Sequence, residues 1–261
     1  MRIPNHVQLT DAKQKADLSY ILSYDKLIFN SVSRSIYQNS DFFNAGDWSQ
    51  GKSNLPEASR AMIRRHLNLS PLTRTNNLPL HILDVGCGLG AGTEMIAQHY
   101  PNAEVLGINI SPMQVAYARK HHPAATYQVM DATNITLPGE HFDQIISIEA
   151  ACHFSSRTAF LKSAYRTLKS GGSLILADVL FKENKWNDDW LIPKTSKIIN
   201  LSDYQQMFQQ VGFIVNVIED ITEITWLSLC NYLRDVCGMS ELAENLRNSV
   251  IAYVSVCVSK P

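Results

Sequence analysis

The spacing of apolar residues along this chain changes near residue 80. Before it, Leu18, Ile21, Leu22, Leu27, Ile28, Val32 and Ile36 recur within residues 8–38 at mixed helical intervals, which predicts one or two amphipathic helices. The stretch YQNSDFFNAGDWSQGKSN, Tyr37 to Asn54, breaks that pattern but keeps Phe42, Phe43 and Trp48. It reads as an aromatic-rich loop able to close over a ligand. A further helix over about 56–68 and the polar connection LSPLTRTNNLP lead into the rest of the chain. From Leu80 onward short apolar runs alternate with helical segments: HILDV, a helix over 91–99, EVLGIN, a helix from Pro112 to about His121, TYQVM, FDQIISIE, a helix over about 157–168, GSLILADVL, a helix near 202–210, FIVNVIED, a long helix over about 223–246, and SVIAYVSVCVS. Such alternation predicts βαβ units and a mostly parallel sheet covered on both faces. The unbroken apolar runs agree, because strands buried on both sides need no polar face. Residues 1–75 are expected to form a helical cap, and 76–261 a core with further cap insertions near 181–200 and 222–246.

In a doubly wound sheet the ligand sits beyond the carboxyl ends of the strands. That rule directs attention to Asp84 to Gly90, Asn109, Asp131 and Glu149 to His153. The run LDVGCGLGAG, Leu83 to Gly92, carries the densest signal. Gly86, Gly88 and Gly90 permit backbone conformations and close approaches that a Cβ forbids, and the following helix aims its first amides at the ligand. Gly86-x-Gly88-x-x-Ala91 also satisfies a relaxed dinucleotide fingerprint, a weak signal alone. Asp84 shifts the balance. A carboxylate just before the first glycine repels a pyrophosphate but attracts a ligand bearing an amine and a sulfonium, and S-adenosylmethionine bears both. The bland alternative is a glycine turn that merely links strand to helix.

Composition removes other classes. The 261 residues are 45% apolar and 18% charged, with a formal net charge of -1, so no basic field is available for nucleic acid. Five cysteines, Cys87, Cys152, Cys230, Cys237 and Cys257, are odd in number and show no metal-ligand spacing, which predicts reduced thiols, no metal and a cytoplasmic setting. The first twenty residues lack the apolar run of a signal peptide, and no window reaches the roughly 18 apolar residues of a membrane span.

Several separate motifs resemble the class I S-adenosylmethionine-dependent methyltransferases over roughly residues 78 to 180: LDVGCGLGAGT, VLGINIS, YQVMDATNITLP, FDQIISIEAACHF and AYRTLKSGGSLILAD. The resemblance implies a Rossmann-like, seven-stranded, mostly parallel sheet with its last strand antiparallel. It also implies that Gly86, Cys87, Gly88 and Gly90 hold the methionyl part, that Asn109, Ile110 and Gln114 face the ribose, and that Asp131 with Ala132 faces the adenine. Tyr24, in SYDKL, matches a tyrosine that covers the cofactor in related enzymes. One position departs from the family: its second strand commonly ends in an acid that chelates the ribose diol, where this chain has Asn109. An amide can accept one hydroxyl and donate to the other. GINIS followed by Pro112, Met113 and Gln114, and the segment SIEAACHF, look like the branch that methylates sterols, tocopherols, glycolipids and natural-product scaffolds.

Methyl transfer from a sulfonium expels a neutral group, so the enzyme mainly aligns donor and acceptor. A base is needed only when the acceptor carries a proton at attack. His153, just past the fourth strand, is the first candidate; its bland alternative is a histidine bonded to backbone at the start of the next helix. Glu149 is the second: it could bind the acceptor, act as base, touch the cofactor or steady a developing carbocation, or else be a carboxylate satisfied by nearby amides. Cys152 reads as packing. Phe42, Phe43, Trp48, Trp186, Trp190 and Trp226 all fall in the cap elements, which favours a bulky, apolar small-molecule acceptor such as a secondary metabolite or lipid-like compound. Trp226, Leu229, Leu233 and Val236 form one apolar face at helical spacing, read as core or a dimer contact, so monomer and homodimer both stay open. Two other classes remain as alternatives, a noncatalytic adenosyl-binding protein and a nicotinamide oxidoreductase; the latter conflicts with Asp84 and with the amide at Asn109.

Overall fold

The computed structural model describes residues 12–72, 79–182 and 200–261, with side chains from Leu18 onward. The expected cap segment Phe181 to Lys197, with Trp186 and Trp190, lies almost wholly outside the described residues. The N-terminal part forms α1 (Ala12–Phe29), α2 (Ser31–Ile36) and α3 (Leu55–Asn68). Asn30 and Asn54 start the last two: each side chain accepts a hydrogen bond from the backbone N–H three residues on, filling one of the donors a helix start leaves open.

The remainder alternates as the apolar runs predict. In chain order it forms β1 (His81–Val85), α4 (Ala91–His99), β2 (Glu104–Asn109), α5 (Pro112–His121), β3 (Thr126–Val129), β4 (Phe142–Ile148), α6 (Arg157–Thr167), β5 (Leu168–Phe181), α7 (Leu201–Val211), β6 (Ile214–Asp220), α8 (Ser228–Asp235), α9 (Ser240–Arg247) and β7 (Val250–Ser259). The seven strands lie in the order β3-β2-β1-β4-β5-β7-β6. β7 runs antiparallel to both of its neighbours, and the other pairs are parallel. The chain leaves β1 toward one edge and returns at β4 to build toward the other. The carboxyl ends of β1 and β4 therefore flank the switch point where such sheets hold ligands.

Both faces of the sheet are packed. Leu83, Val85, Ile145, Leu174 and Leu176 meet Phe160, Leu161, Tyr204 and Phe208 of α6 and α7. On the opposite side Ala177, Val179 and Tyr253 meet Leu55, Met62 and Trp226. Each such side chain contributes roughly 1.5–3 kcal/mol by leaving water. A buried ion pair crosses one end of this core, where Arg157 donates to Asp178 from Nε at 2.7 Å and from Nη2 at 3.1 Å, and the Tyr204 hydroxyl adds a third side-chain bond at 2.8 Å.

The long helix expected over 223–246 is not continuous. A single π turn over Glu223–Leu227 runs into α8, which stops after Asp235; α9 begins at Ser240. Gly238 sits between them at φ +68°, a left-handed conformation that ends a helix. Trp226, Leu229 and Leu233 are buried as the spacing predicts, whereas Val236, past the break, is 66% exposed. Among the described residues no helix is long and apolar enough to cross a membrane.

Candidate active site

A cavity of about 550 Å³ opens at the switch point, within the size range of small-molecule sites. Its wall is built from the loop after β1, the ends of β2 and β4, α1, and the segment Asp41 to Asn44.

The three glycines after β1 do different work. All have positive φ: +82° at Gly86, +53° at Gly88 and +98° at Gly90. A Cβ on Gly86 would lie 2.3 Å from the Ala150 Cβ, and one on Gly90 would lie 2.8 Å from the Ala118 Cβ. These two let the loop pack against its neighbours, and Gly90, which starts α4, stands off the cavity wall. At Gly88 a Cβ would meet nothing within 4 Å; that face opens into the cavity. Cys87 lines the cavity and packs with Val115, Ala118 and Tyr127, and burial pushes its thiol up.

Asp84 is 5% exposed and accepts the Thr93 hydroxyl at 2.6 Å. Burial pushes its carboxyl up to about 6, against the opposing pull of that hydrogen bond. A buried acid on a cavity wall, with a neutral hydroxyl as its side-chain donor among the described residues, suits a ligand that brings its own positive charge.

At the end of β2, Asn109, Ile110 and Gln114 all reach the cavity. Asn109 Nδ2 donates to Gln114 Oε1 at 3.1 Å, and its Oδ1 accepts from the Ser111 N–H at 2.9 Å. Gln114 Nε2 donates in turn to Asp25 of α1 at 2.8 Å. The sequence reading passed over Asp25. Its signal was an acid on the apolar stripe Ile21, Asp25, Ile28, one residue after the tyrosine that was singled out.

After β3, Asp131 caps a short 3₁₀ turn over Ala132–Asn134, accepting from the Thr133 N–H at 2.8 Å and the Thr133 hydroxyl at 2.9 Å. Asp131 and buried Ala132 both line the cavity.

Glu149 follows β4 directly at φ +54°, a conformation a non-glycine residue rarely adopts and one that concentrates at functional sites. Its Oε2 accepts from the Ala45 N–H at 2.6 Å and from the Tyr253 hydroxyl at 2.7 Å. Burial pushes this carboxyl up to about 7, and Asp178 adds to the effect. His153 closes a 3₁₀ turn, with its ring edge-on to Tyr24 at 5.1 Å. The Tyr20 hydroxyl donates to the His153 carbonyl at 3.0 Å. Tyr20, Tyr24, Phe43, His153 and Phe154 thus share one aromatic stretch of wall. Cys152 lies buried behind it with its thiol pushed up, as packing predicts.

The loop expected to close over the site lines it and is packed into the fold. Asn44, Ala45 and Asp47 are buried. The N–H groups of Asp47 and Trp48 donate to Ala58 and Ile224 carbonyls, and the Trp48 indole donates to the Ala45 carbonyl at 2.8 Å.

A doubly wound sheet with an open glycine face and a buried acid at its switch point defines a Rossmann-like protein whose cleft suits a positively charged ligand. The comparisons with known proteins name its relatives. Residues 83–176 match the family model described as "Methyltransferase domain". A phosphoethanolamine N-methyltransferase of Triticum aestivum is 32% identical over 54% of this chain and 29% of its own length. An O-methyltransferase of Pyrenophora dematioidea is 26% identical over 77% of this chain and 75% of its own. Among solved structures, the [4+2]-cyclase SpnF superposes with a TM-score of 0.69 at 19% identity, covering 96% of this chain and 97% of that one. Residues 83–176 thus carry a methyltransferase-domain pattern, and S-adenosylmethionine is the cofactor of the methyltransferases the chain resembles. The chain spans between 29% and 55% of the length of several of the curated relatives it matches.

Proposed function

We propose that this protein transfers the methyl group of S-adenosylmethionine to an oxygen or nitrogen of a small, largely apolar molecule. The observation that carries the reading is the open face of Gly88 beside the buried, cation-seeking Asp84. In this reading Asp84, Gly86, Cys87 and Gly88 hold the methionyl part, Asn109, Ile110 and Gln114 the ribose, and Asp131 with Ala132 the adenine, while Tyr24 covers the site. The cofactor supplies a methyl group on a cationic sulfur. The chain's own contribution is to exclude water, align the acceptor against the aromatic wall of Tyr20, Tyr24, Phe43 and Phe154, and take up a proton at His153. The N- and O-methyltransferase names of the two relatives support acceptors of both kinds. Glu149 favours one second reading: a carboxylate at the cavity steadies cationic charge developing on an alkene carbon, and the acceptor is then carbon.

Calorimetry with S-adenosylhomocysteine, with NAD as control, tests the cofactor; NAD alone binding would sink the reading. Mass spectrometry of a metabolite extract incubated with enzyme and methyl-labelled donor identifies the acceptor. On a hydroxyl acceptor, His153→Ala should lower turnover by roughly 10²–10⁴ with cofactor affinity unchanged. On an alkene acceptor Glu149→Gln should be the damaging change instead. Full activity in both variants would move the chemistry elsewhere.

A further inference from the structure

We infer that Asp25 is a positioning residue for the adenosyl subsite: from α1 it dictates the hydrogen-bond polarity of Gln114 and Asn109, so that docking of the N-terminal helix and binding of the cofactor are one event. The inference rests on the S-adenosylmethionine reading above.

The argument follows from what a carboxylate can do, which is only accept. Asp25 is 4% exposed. The Ser111 hydroxyl points at both its oxygens, at 2.7 and 2.9 Å, and Gln114 Nε2 donates to Oδ1 at 2.8 Å. Gln114 must therefore turn its amino group toward Asp25 and its carbonyl toward Asn109. Asn109 must answer with its own amino group, at 3.1 Å, which leaves its carbonyl to accept from the Ser111 N–H at 2.9 Å. One acid sets the direction of two amides. The series ends at the second N–H of Asn109, on a cavity-lining residue, and a hydroxyl oxygen of the ribose is the acceptor such a donor suits. An acid at the end of β2 would offer acceptors only. Here the acid stands two residues further back in the relay, on α1, and the amide at 109 is oriented by it through Gln114.

The surroundings fit a stably buried charge. Ser111 is the cap of α5, its hydroxyl also accepting from the Gln114 N–H at 3.1 Å, so Asp25 lies against the positive end of a helix. The same helix α1 carries Tyr20, Tyr24 and Ile28 onto the cavity wall. Releasing Asp25 would loosen both the relay and that wall.

The test is calorimetry with S-adenosylhomocysteine and its 2′-deoxy and 3′-deoxy analogues on the full chain, as wild type, Asp25→Asn, Gln114→Ala and the double variant. Wild type should bind S-adenosylhomocysteine and discriminate against at least one deoxy analogue by about tenfold. Asp25→Asn, which keeps the shape but not the obligate acceptor, should weaken binding by about tenfold to a hundredfold and lose that discrimination. Gln114→Ala, which leaves the Ser111–Asp25 contact in place, should do the same, and the double variant should add little, since both interrupt one relay. Hydrogen exchange in α1 should slow on ligand addition in wild type and not in Asp25→Asn. A merely structural Asp25 would lower the melting temperature, leave the deoxy discrimination intact and give additive losses. That pattern overturns the inference. Failure of the wild type to bind S-adenosylhomocysteine would instead overturn the cofactor reading itself.

Discussion

At the scale of the residue, the glycine loop separates two kinds of requirement that look alike in a sequence. Gly86 is forced by a backbone turn and by Ala150, 2.3 Å from where a Cβ would stand; Gly88 has the turn but an open face. Gly86→Ala should therefore cost stability, seen as a lower melting temperature of the ligand-free protein. Gly88→Ala should cost only the strain of a positive φ, roughly 1–2 kcal/mol, yet lose most of its affinity for S-adenosylhomocysteine. Equal affinity in Gly88→Ala and wild type would show that the ligand does not use this face. The position of the loop was legible in the run from Leu83 to Gly92, because glycines crowd only where a Cβ is excluded. The division of labour within it was not, since Ala118 and Ala150 lie far along the chain. Asp25 escaped for the same reason: its partners stand 86 and 89 positions away.

At the scale of the element, apolar runs were a sound guide wherever a strand is buried on both faces. β1 and β2 coincide with HILDV and EVLGIN, where the single polar residue inside either run is Asp84, buried and bonded to Thr93. The long helix over 223–246 failed because its apolar spacing continues past Asp235 while the backbone does not: Gly238 turns the chain. The aromatic loop is a different case. Asn, Ser and Gly mark irregular backbone, and in a sequence these marks do not distinguish a moving cover from a packed wall. Here Gly46, whose Cβ would stand 2.6 Å from the Ala58 Cβ, lets the loop pack tightly, and its amides are bonded to two separate elements. The expected consequence is slow hydrogen exchange at Asp47 and Trp48, comparable with the β7 amides and unlike a lid. Exchange within seconds at both would restore the picture of a closing loop.

At the scale of the whole molecule, the site is where three distant parts of the chain meet, Ala45 and Tyr253 each lying 104 positions from Glu149. That convergence was invisible in the sequence, and it has an electrostatic cost. Asp84 and Glu149 are pushed up to about 6 and about 7 by burial, from ordinary values near 3.8 and 4.5. In the ligand-free fold each is harder to ionise than in the unfolded chain, so each lowers stability. The cost is absent below the unfolded values, grows as pH rises and is complete above about 7. His66, pushed down to about 4 by burial, works in the opposite sense below 6.5, which makes melting temperature alone a poor readout. Ligand binding isolates the two acids. S-adenosylmethionine carries a sulfonium charge that S-adenosylhomocysteine lacks, and a cation favours the ionised acids. The affinity ratio of the two ligands should therefore rise as pH climbs from about 5 and level off near 8, once both acids are ionised in the free protein. Near pH 6.5, binding of the sulfonium should also release protons, measured as a dependence of the binding heat on the buffer's ionisation enthalpy. Asp84→Asn should flatten the lower part of that rise and Glu149→Gln the upper part. A ratio independent of pH in the wild type would mean that neither carboxylate senses the methyl donor's charge, and the electrostatic account of the site would be lost.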